Sequence, residues 1–193
     1  MFHNGGAMTL QEALDTMEEK MMKTLEVVHQ EFATVRTGKA STSLVENIQV
    51  EAYGTQMRLR ELAGLSTPEP RLIVIRPWDA GSLTAIEKAI QKSELGLTPH
   101  NDGKMIRLPI PTLTDERRRE LGKVVSRRVE EGRIAIRNIR RDALKEVGDL
   151  FKDKEISEDD QFKAKDDLQE LTDTYIKKID QVGEQKQAEI MEG

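Results

Sequence analysis

Apolar residues recur every three or four positions through three separate stretches of this chain, so any fold must bury three helical stripes together. The first stripe is Leu10, Leu14, Met17, Met21, Leu25, Val28, Phe32 and Val35. That period is one face of an α-helix. Thr9 with Glu12 three residues on is a capping-box pattern. Gly38 is a natural stop, because glycine takes the left-handed conformation without steric cost. The first helix is therefore expected over residues 9 to 37. The second opens at Thr114, with Asp115 and Glu116 in a first turn where the helix dipole favours anions. It runs to Lys152 through Leu121, Val125, Val129, Ile136, Ile139, Ala143, Val147 and Leu150. Gly122, Gly132 and Gly148 interrupt it, each costing about 1 kcal/mol relative to Ala. Such a helix depends on tertiary packing. Ser157 caps the third, whose stripe is Phe162, Ala164 or Lys165, Leu168, Leu171, Tyr175, Ile179, Val182 and Ile190. Three long helices with one stripe each form an antiparallel three-helix bundle most simply.

Between the first two helices the period changes. Ile48, Val50 and Ala52 alternate with polar residues as a strand does, and Tyr53-Gly54-Thr55 reads as a turn. Met57, Leu59 and Glu61 are expected to continue a second strand. Leu72 to Ile75 is a short buried strand between prolines. Asp79 to Ser82 opens a helix with Leu83, Ile86, Ala89 and Ile90 inward, ended by Gly96. Pro99 to Gly103 is a turn with an Asp-Gly hairpin signal. Met105 to Ile110 is a last strand, whose prolines argue for an edge or an exit. The fold class is thus α+β, a long three-helix bundle (8–38 plus 112–193) carrying an inserted small α/β domain (39–111). Hinges are expected near 38–40 and 109–113, at Gly38, Pro109 and Pro111. Helices this long imply an elongated, L-like molecule.

Composition narrows the function. Charged residues are 34% and aromatic residues 4% of the chain, which suits long amphipathic helices rather than a large aromatic core. There is no cysteine, hence no disulfide, thiol nucleophile or thiolate metal site. No apolar run approaches the ~20 residues that cross a bilayer. Residues 1–7 have neither the apolar core of a secretory signal nor the arginines of a transit peptide. Their Gly-Gly followed by Met8 reads as an appended remnant or an upstream start, and the expected location is cytoplasmic. The three histidines, His3, His29 and His100, have no partner at metal-ligand spacing. The acidic Glu158-Asp159-Asp160 run is a helix first turn, without the glycine and spacing of a calcium loop. Phosphate-binding glycine loops are missing too. The expectation is no enzyme, no metal and no cofactor, with Trp78 packing the small domain.

The charge is unevenly spread. Thr114 to Lys152 holds twelve Lys/Arg against eight Asp/Glu, while the rest of the chain holds eighteen against twenty-seven. A basic helix in an acidic protein points at a polyanion. Arg133, Arg137 and Arg140, at steps of 4 and 3, share one face, with Arg141 at its edge. Guanidinium groups at this pitch reach successive phosphates of a folded RNA or stack on its bases. The bland alternative is a solvated face of i,i+4 ion pairs. It is weakened because Arg137 has Arg133 and Arg141 at those spacings, and like charges there repel. Arg36 and Lys39 add charge at the end of the first helix, where they serve the helix C-terminus or RNA equally well. Arg117-Arg118-Arg119 opens the second helix against its dipole.

Six motifs carry a resemblance that spans Thr9 to Met191. They are Val35-Arg-Thr-Gly-Lys-Ala-Ser41, Tyr53-Gly-Thr55, Ser93-Glu-Leu-Gly-Leu-Thr-Pro99, the run from Ile106 through Pro111 to Leu121, Ile136-Arg-Asn-Ile-Arg-Arg-Asp-Ala143, and Lys152-Asp-Lys-Glu-Ile-Ser-Glu-Asp-Asp160. With these the chain resembles the bacterial-type ribosome recycling factor family. The resemblance implies a bundle with a mobile α/β domain, about the size and shape of a transfer RNA. It implies a monomer that lies on the large ribosomal subunit after termination, across the peptidyl-transferase region and the central intersubunit bridge. Elongation factor G, hydrolysing GTP, then drives subunit separation, so the factor itself needs no cofactor. It places Arg137, Arg140 and Arg141 on ribosomal RNA, with Arg36 near the same surface, and the small domain and hinge against elongation factor G. Lys39 stands where the family usually has Arg, which turns a bidentate contact into a point charge. Gly122 and Gly132 are expected to soften the second helix. A different class of function, a protein adaptor whose charged face docks an acidic partner, is separated from this one by RNase sensitivity of binding.

Overall fold

The computed structural model describes residues 9–192. The expectation for residues 1–7 lies outside them. Helix α1 is Leu10–Ala33, α4 is Asp115–Lys152 and α5 is Glu158–Glu192. The intervening segment contains β1 (Gln49–Ala52), β2 (Thr55–Arg58), α2 (Leu59–Leu62), β3 (Ala63–Glu69), β4 (Leu72–Pro77), α3 (Leu83–Lys92), β5 (His100–Asn101) and β6 (Ile106–Pro109). Contacts divide the chain into two compact units. One takes in the chain to Glu31 and Lys123–Lys186, the other Phe32–Gly122 and the residues from Gln187 on.

The first unit is a three-helix bundle. The expected capping box forms at α1, where the Thr9 backbone N–H donates to Glu12 at 2.8 Å and the Glu12 N–H to Thr9 Oγ1 at 3.2 Å. Thr114 Oγ1 accepts the Arg117 N–H at 3.1 Å, and Ser157 Oγ accepts the Asp160 N–H at 3.0 Å, so all three predicted starts are capped. Met17, Met21 and Val28 of α1 meet Val125, Val129, Ile136, Ala143 and Val147 of α4 and Leu168, Tyr175 and Ile179 of α5 in the buried interior. Helix α4 runs antiparallel to α5, as Arg133–Asp180 and Arg140–Gln169 show, and to α1, as Arg128–Glu31 and Gly132 against Val28 show.

The structure departs from expectation at several points. Helix α1 ends at Ala33, short of the expected Thr37. Past it, Thr37 and Gly38 are buried, Gly38 takes φ +82°, and the Ala40 N–H donates to Pro70 O at 2.7 Å. The stretch from Thr34 to Thr37, rich in β-branched residues, leaves the helix, and the chain is tied to the turn between β3 and β4 instead. Phe162 is 69% exposed, and Ala164 takes its place on the α5 stripe. Helix α4 runs unbroken through Gly122, Gly132 and Gly148. A Cβ on Gly132 would lie 3.2 Å from Val28 and 3.3 Å from Ile179, so this glycine lets three helices approach. On Gly183 of α5, a Cβ would collide with Val129.

The second unit holds two antiparallel sheets, β1-β2 and β3-β4-β6-β5. Its core includes Val50, Leu59, Ile73, Ile75, Ile86, Ile90, Ile106 and Leu108. The β1-β2 turn is Tyr53 and Gly54, both at positive φ (53° and 73°), the geometry of a two-residue hairpin. The second strand stops at Arg58, short of the expected Glu61. Leu59 and Leu62 are both buried at a spacing of three, and Glu61 accepts the Arg58 N–H at 2.9 Å, which starts a helical turn. Strand β3 escaped the sequence reading because Gly64 and Pro68 disguise it. Pro68 sits where the register shifts between Ser66 and Glu69, so no ladder bond is lost to it. The last strand lies inside the sheet, between β4 and β5, not at an edge. Pro109 is tolerated because β5 pairs only with Ile106 and Arg107. Trp78 is not part of the domain's core: it is 74% exposed.

Candidate nucleic-acid interface on helix α4

Burial of Val125, Val129, Ile136, Ala143 and Val147 fixes which way α4 turns its remaining faces. At 100° per residue, the opposite side carries Lys123, Arg127, Arg137, Arg141 and Lys145, all exposed. The row extends about 33 Å at 1.5 Å per residue. Ile134, 48% exposed, lies in its middle. Glu130 is the acidic residue on this face, 3.6 Å from Arg137 Nη1. Lys123, Arg127, Arg141 and Lys145 make no ion pair among the described residues, so the face holds uncompensated positive charge. Apart from Arg137, arginines that pair along the helix lie elsewhere on it, among them Arg117 with Glu120 at 2.9 Å and Arg128 with Glu131 at 3.0 Å.

The four arginines predicted for this helix do not share one environment. Arg137 and Arg141 are exposed on the basic row. Arg133 is turned toward α5, where its Nε and Nη2 both lie 2.7 Å from Asp180 Oδ1, while Nη1 donates to Glu130 at 3.1 Å. The hydrogen bond to Asp180, then that to Glu130, hold its guanidinium even more firmly protonated than usual. Arg140 is half-buried, its Nη1 donating to the side-chain oxygen of Gln169 on α5 and its buried Nε without a hydrogen-bond partner. The helix sequence alone could not show that α5 supplies partners to two of the four.

Arg36 and Lys39 belong to the other unit. Arg36 is half-buried in the non-helical stretch after α1. Exposed Lys39 pairs with Glu192 at 3.4 Å. Pro109 and Pro111 are both exposed, flanking Ile110, whose N–H donates to Arg71 O at 2.8 Å. Lys123, Arg127 and Lys145 were missed. Their signal was present: 137, 141 and 145 step by four, as do 123 and 127, but reading centred on one contiguous motif. Among the described residues no cluster of His, Asp or Glu could hold a metal ion. Among them, too, no helix is long and apolar enough to cross a membrane.

A profile of the family described as Ribosome recycling factor matches residues 28–191. The chain belongs to the ribosome recycling factor family. The family's member from Carboxydothermus hydrogenoformans is 54% identical over 182 residues, covering 94% of this chain and 98% of that one. The ribosome-recycling factor of Rubrobacter xylanophilus is 51% identical over 179 residues, covering 93% and 96%. A ribosome recycling factor solved in solution superposes with a TM-score of 0.80 at 41% identity, over 100% of both chains. Another family member, the T. thermophilus factor described with the E. coli elongation factor G bound to the E. coli post-termination complex, gives 0.69 at 44% identity, over 95% and 99%. The capped, three-stripe bundle and the inserted sheet are thus the family's own architecture.

Proposed function

We propose that this protein grips the large ribosomal subunit through ribosomal RNA and, with elongation factor G and GTP, separates the subunits of the post-termination ribosome. The observation that carries the reading is the row of cations on α4, exposed and short of acidic partners, in a family one of whose members is described with elongation factor G on that complex. A row of this length crosses many phosphates, since a duplex carries one charge per about 1.7 Å of axis. Arg137, Arg140 and Arg141 contact RNA in this reading. Arg133 orients the row by clamping α4 to α5.

The chain contributes shape and charge rather than bond chemistry. The bundle, residues to Gly38 and from Thr112, holds the subunit. The inserted segment 39–111 turns about Gly38, Pro109 and Pro111 and takes the push of elongation factor G, whose GTP supplies the energy. The protein acts as a cytoplasmic monomer and needs no cofactor of its own.

The test is light scattering of post-termination ribosomes with this protein, cognate elongation factor G and GTP, omitting each in turn. Scattering should fall only when all three are present. Arg140→Ala should fold normally and bind large-subunit particles more weakly. No fall in scattering with folded protein refutes the reading, and ribosome binding that survives RNase would point to a protein adaptor.

A further inference from the structure

The four-stranded sheet of the second unit buries one face in the core; on the other, Val74 at the centre is covered (5% exposed) while the polar side chains around it are exposed. Ile73, Ile75, Ile106 and Leu108 point into the core. Side chains alternate along a strand, so Val74, Arg76 and Arg107 point the opposite way. The register places Gly64 opposite Arg76 and Arg107 opposite Val74 and His100, which puts all of them on the outer face. Arg76, His100 and Arg107 are exposed. Arg76 makes no ion pair among the described residues, and Arg107 has only a long one, 3.9 Å to Asp102. The one carboxylate on an outward strand position is Glu69, at the far end beyond the bulge and opposite Leu72.

Trp78 completes this face. Its N–H donates to Leu62 O at 3.0 Å, and its ring lies over Gly64, where a Cβ would sit 3.2 Å from the indole. One ring face is therefore seated on the strand while the residue stays 74% exposed. The neighbouring Asp79 accepts the Tyr53 hydroxyl at 2.6 Å and the Gly81 N–H at 3.0 Å, which fixes the loop that follows. The result is an exposed aromatic ring resting on Gly64 beside two exposed arginines, on the solvent side of an antiparallel sheet. Aromatic rings on such sheets stack unpaired bases, and flanking cations hold the phosphates.

We propose that this outer face binds unpaired nucleotides of an RNA, one base stacked on Trp78 and phosphates on Arg76 and Arg107. It is a second RNA contact, independent of the row on α4. A basic face suits phosphate better than it suits a basic protein segment. Because Trp78 is the only tryptophan, its emission reports this face alone.

The experiment titrates the full chain with single-stranded oligoadenylate at about 50 mM salt, where phosphate contacts are strong. Trp78 emission should be quenched, with weaker quenching at higher salt. Arg137→Gln with Arg141→Gln should leave the quench in place, which separates this face from α4. In that background, Trp78→Ala should weaken binding of labelled oligoadenylate at least about fivefold, the low end for one stacked base. Arg76→Gln with Arg107→Gln should shift the quench to higher RNA concentration. Emission unchanged at saturating RNA overturns the proposal. So does an equal response to a duplex RNA of the same length, whose bases are not free to stack. A response to RNA-free elongation factor G, with none to RNA, overturns it in favour of a protein contact.

Discussion

Replacing Arg137 and Arg141 together by Gln tests the α4 row, because both are exposed and neither is needed to hold the bundle. Each phosphate neutralised on RNA contributes about 0.7–0.9 to the slope of log affinity against log salt. Six contacts, from Lys123, Arg127, Arg137, Arg140, Arg141 and Lys145, give a slope near −4.8 for the parent chain at about 0.8 each. The double variant should show about −3.2. Raising salt fourfold should then weaken the parent about 800-fold and the variant only about 80-fold. The assay is sedimentation of the labelled protein with purified large subunits across a salt series, with helicity checked by circular dichroism. Arg133→Gln is the control. Its guanidinium is paired with Asp180, so its loss should cost about 0.5–1 kcal/mol of stability, as for a half-exposed ion pair, and leave the slope alone. A folded Arg137/Arg141 variant with the parental slope would refute the assignment of this face to RNA.

Three further outcomes follow from the packing and the caps. Gly183→Ala places a methyl against Val129 between α5 and α4, and should lower stability by about 1–3 kcal/mol in thermal or urea unfolding, whereas Gly148→Ala, with open space around it, should not. Asp160 is hydrogen-bonded by the Ser157 hydroxyl and then by its backbone N–H, which holds its carboxyl below the ordinary aspartate range. A depressed carboxylate stabilises the fold above its unfolded pKa and loses that contribution as pH falls through the folded one. Asp160→Asn should therefore melt below the parent at neutral pH, with the gap closing below about pH 4. Tyr53→Phe removes the hydroxyl that bonds Asp79, so the Asp79 carboxyl, now held low chiefly by that bond, should titrate at higher pH by NMR.

Much of the bundle was legible because helices obey local rules. Thr9, Thr114 and Ser157 cap through atoms three residues away, and a stripe at steps of three and four identifies its own face. The same locality explains the failures. Leu59 alternates with Met57 as a strand would, but its spacing to Leu62 and the Glu61 cap make a helical turn. Ala63–Glu69 has no alternation to detect, and only pairing with β4 makes it a strand.

The site divides in the same way. The local order of residues on α4 determined that Arg137 and Arg141 share a face and that few acids lie beside them. Tertiary structure decided which arginines are left free. Asp180 lies 47 residues from Arg133 and Gln169 lies 29 from Arg140, and α5 brings both alongside. Trp78 is the counterpart in the sheet. A lone tryptophan reads as core, because apolar area normally leaves water. Gly64 on the adjacent strand gives its ring a seat on the outer face, and pairing across the sheet is long-range information that no local pattern carries.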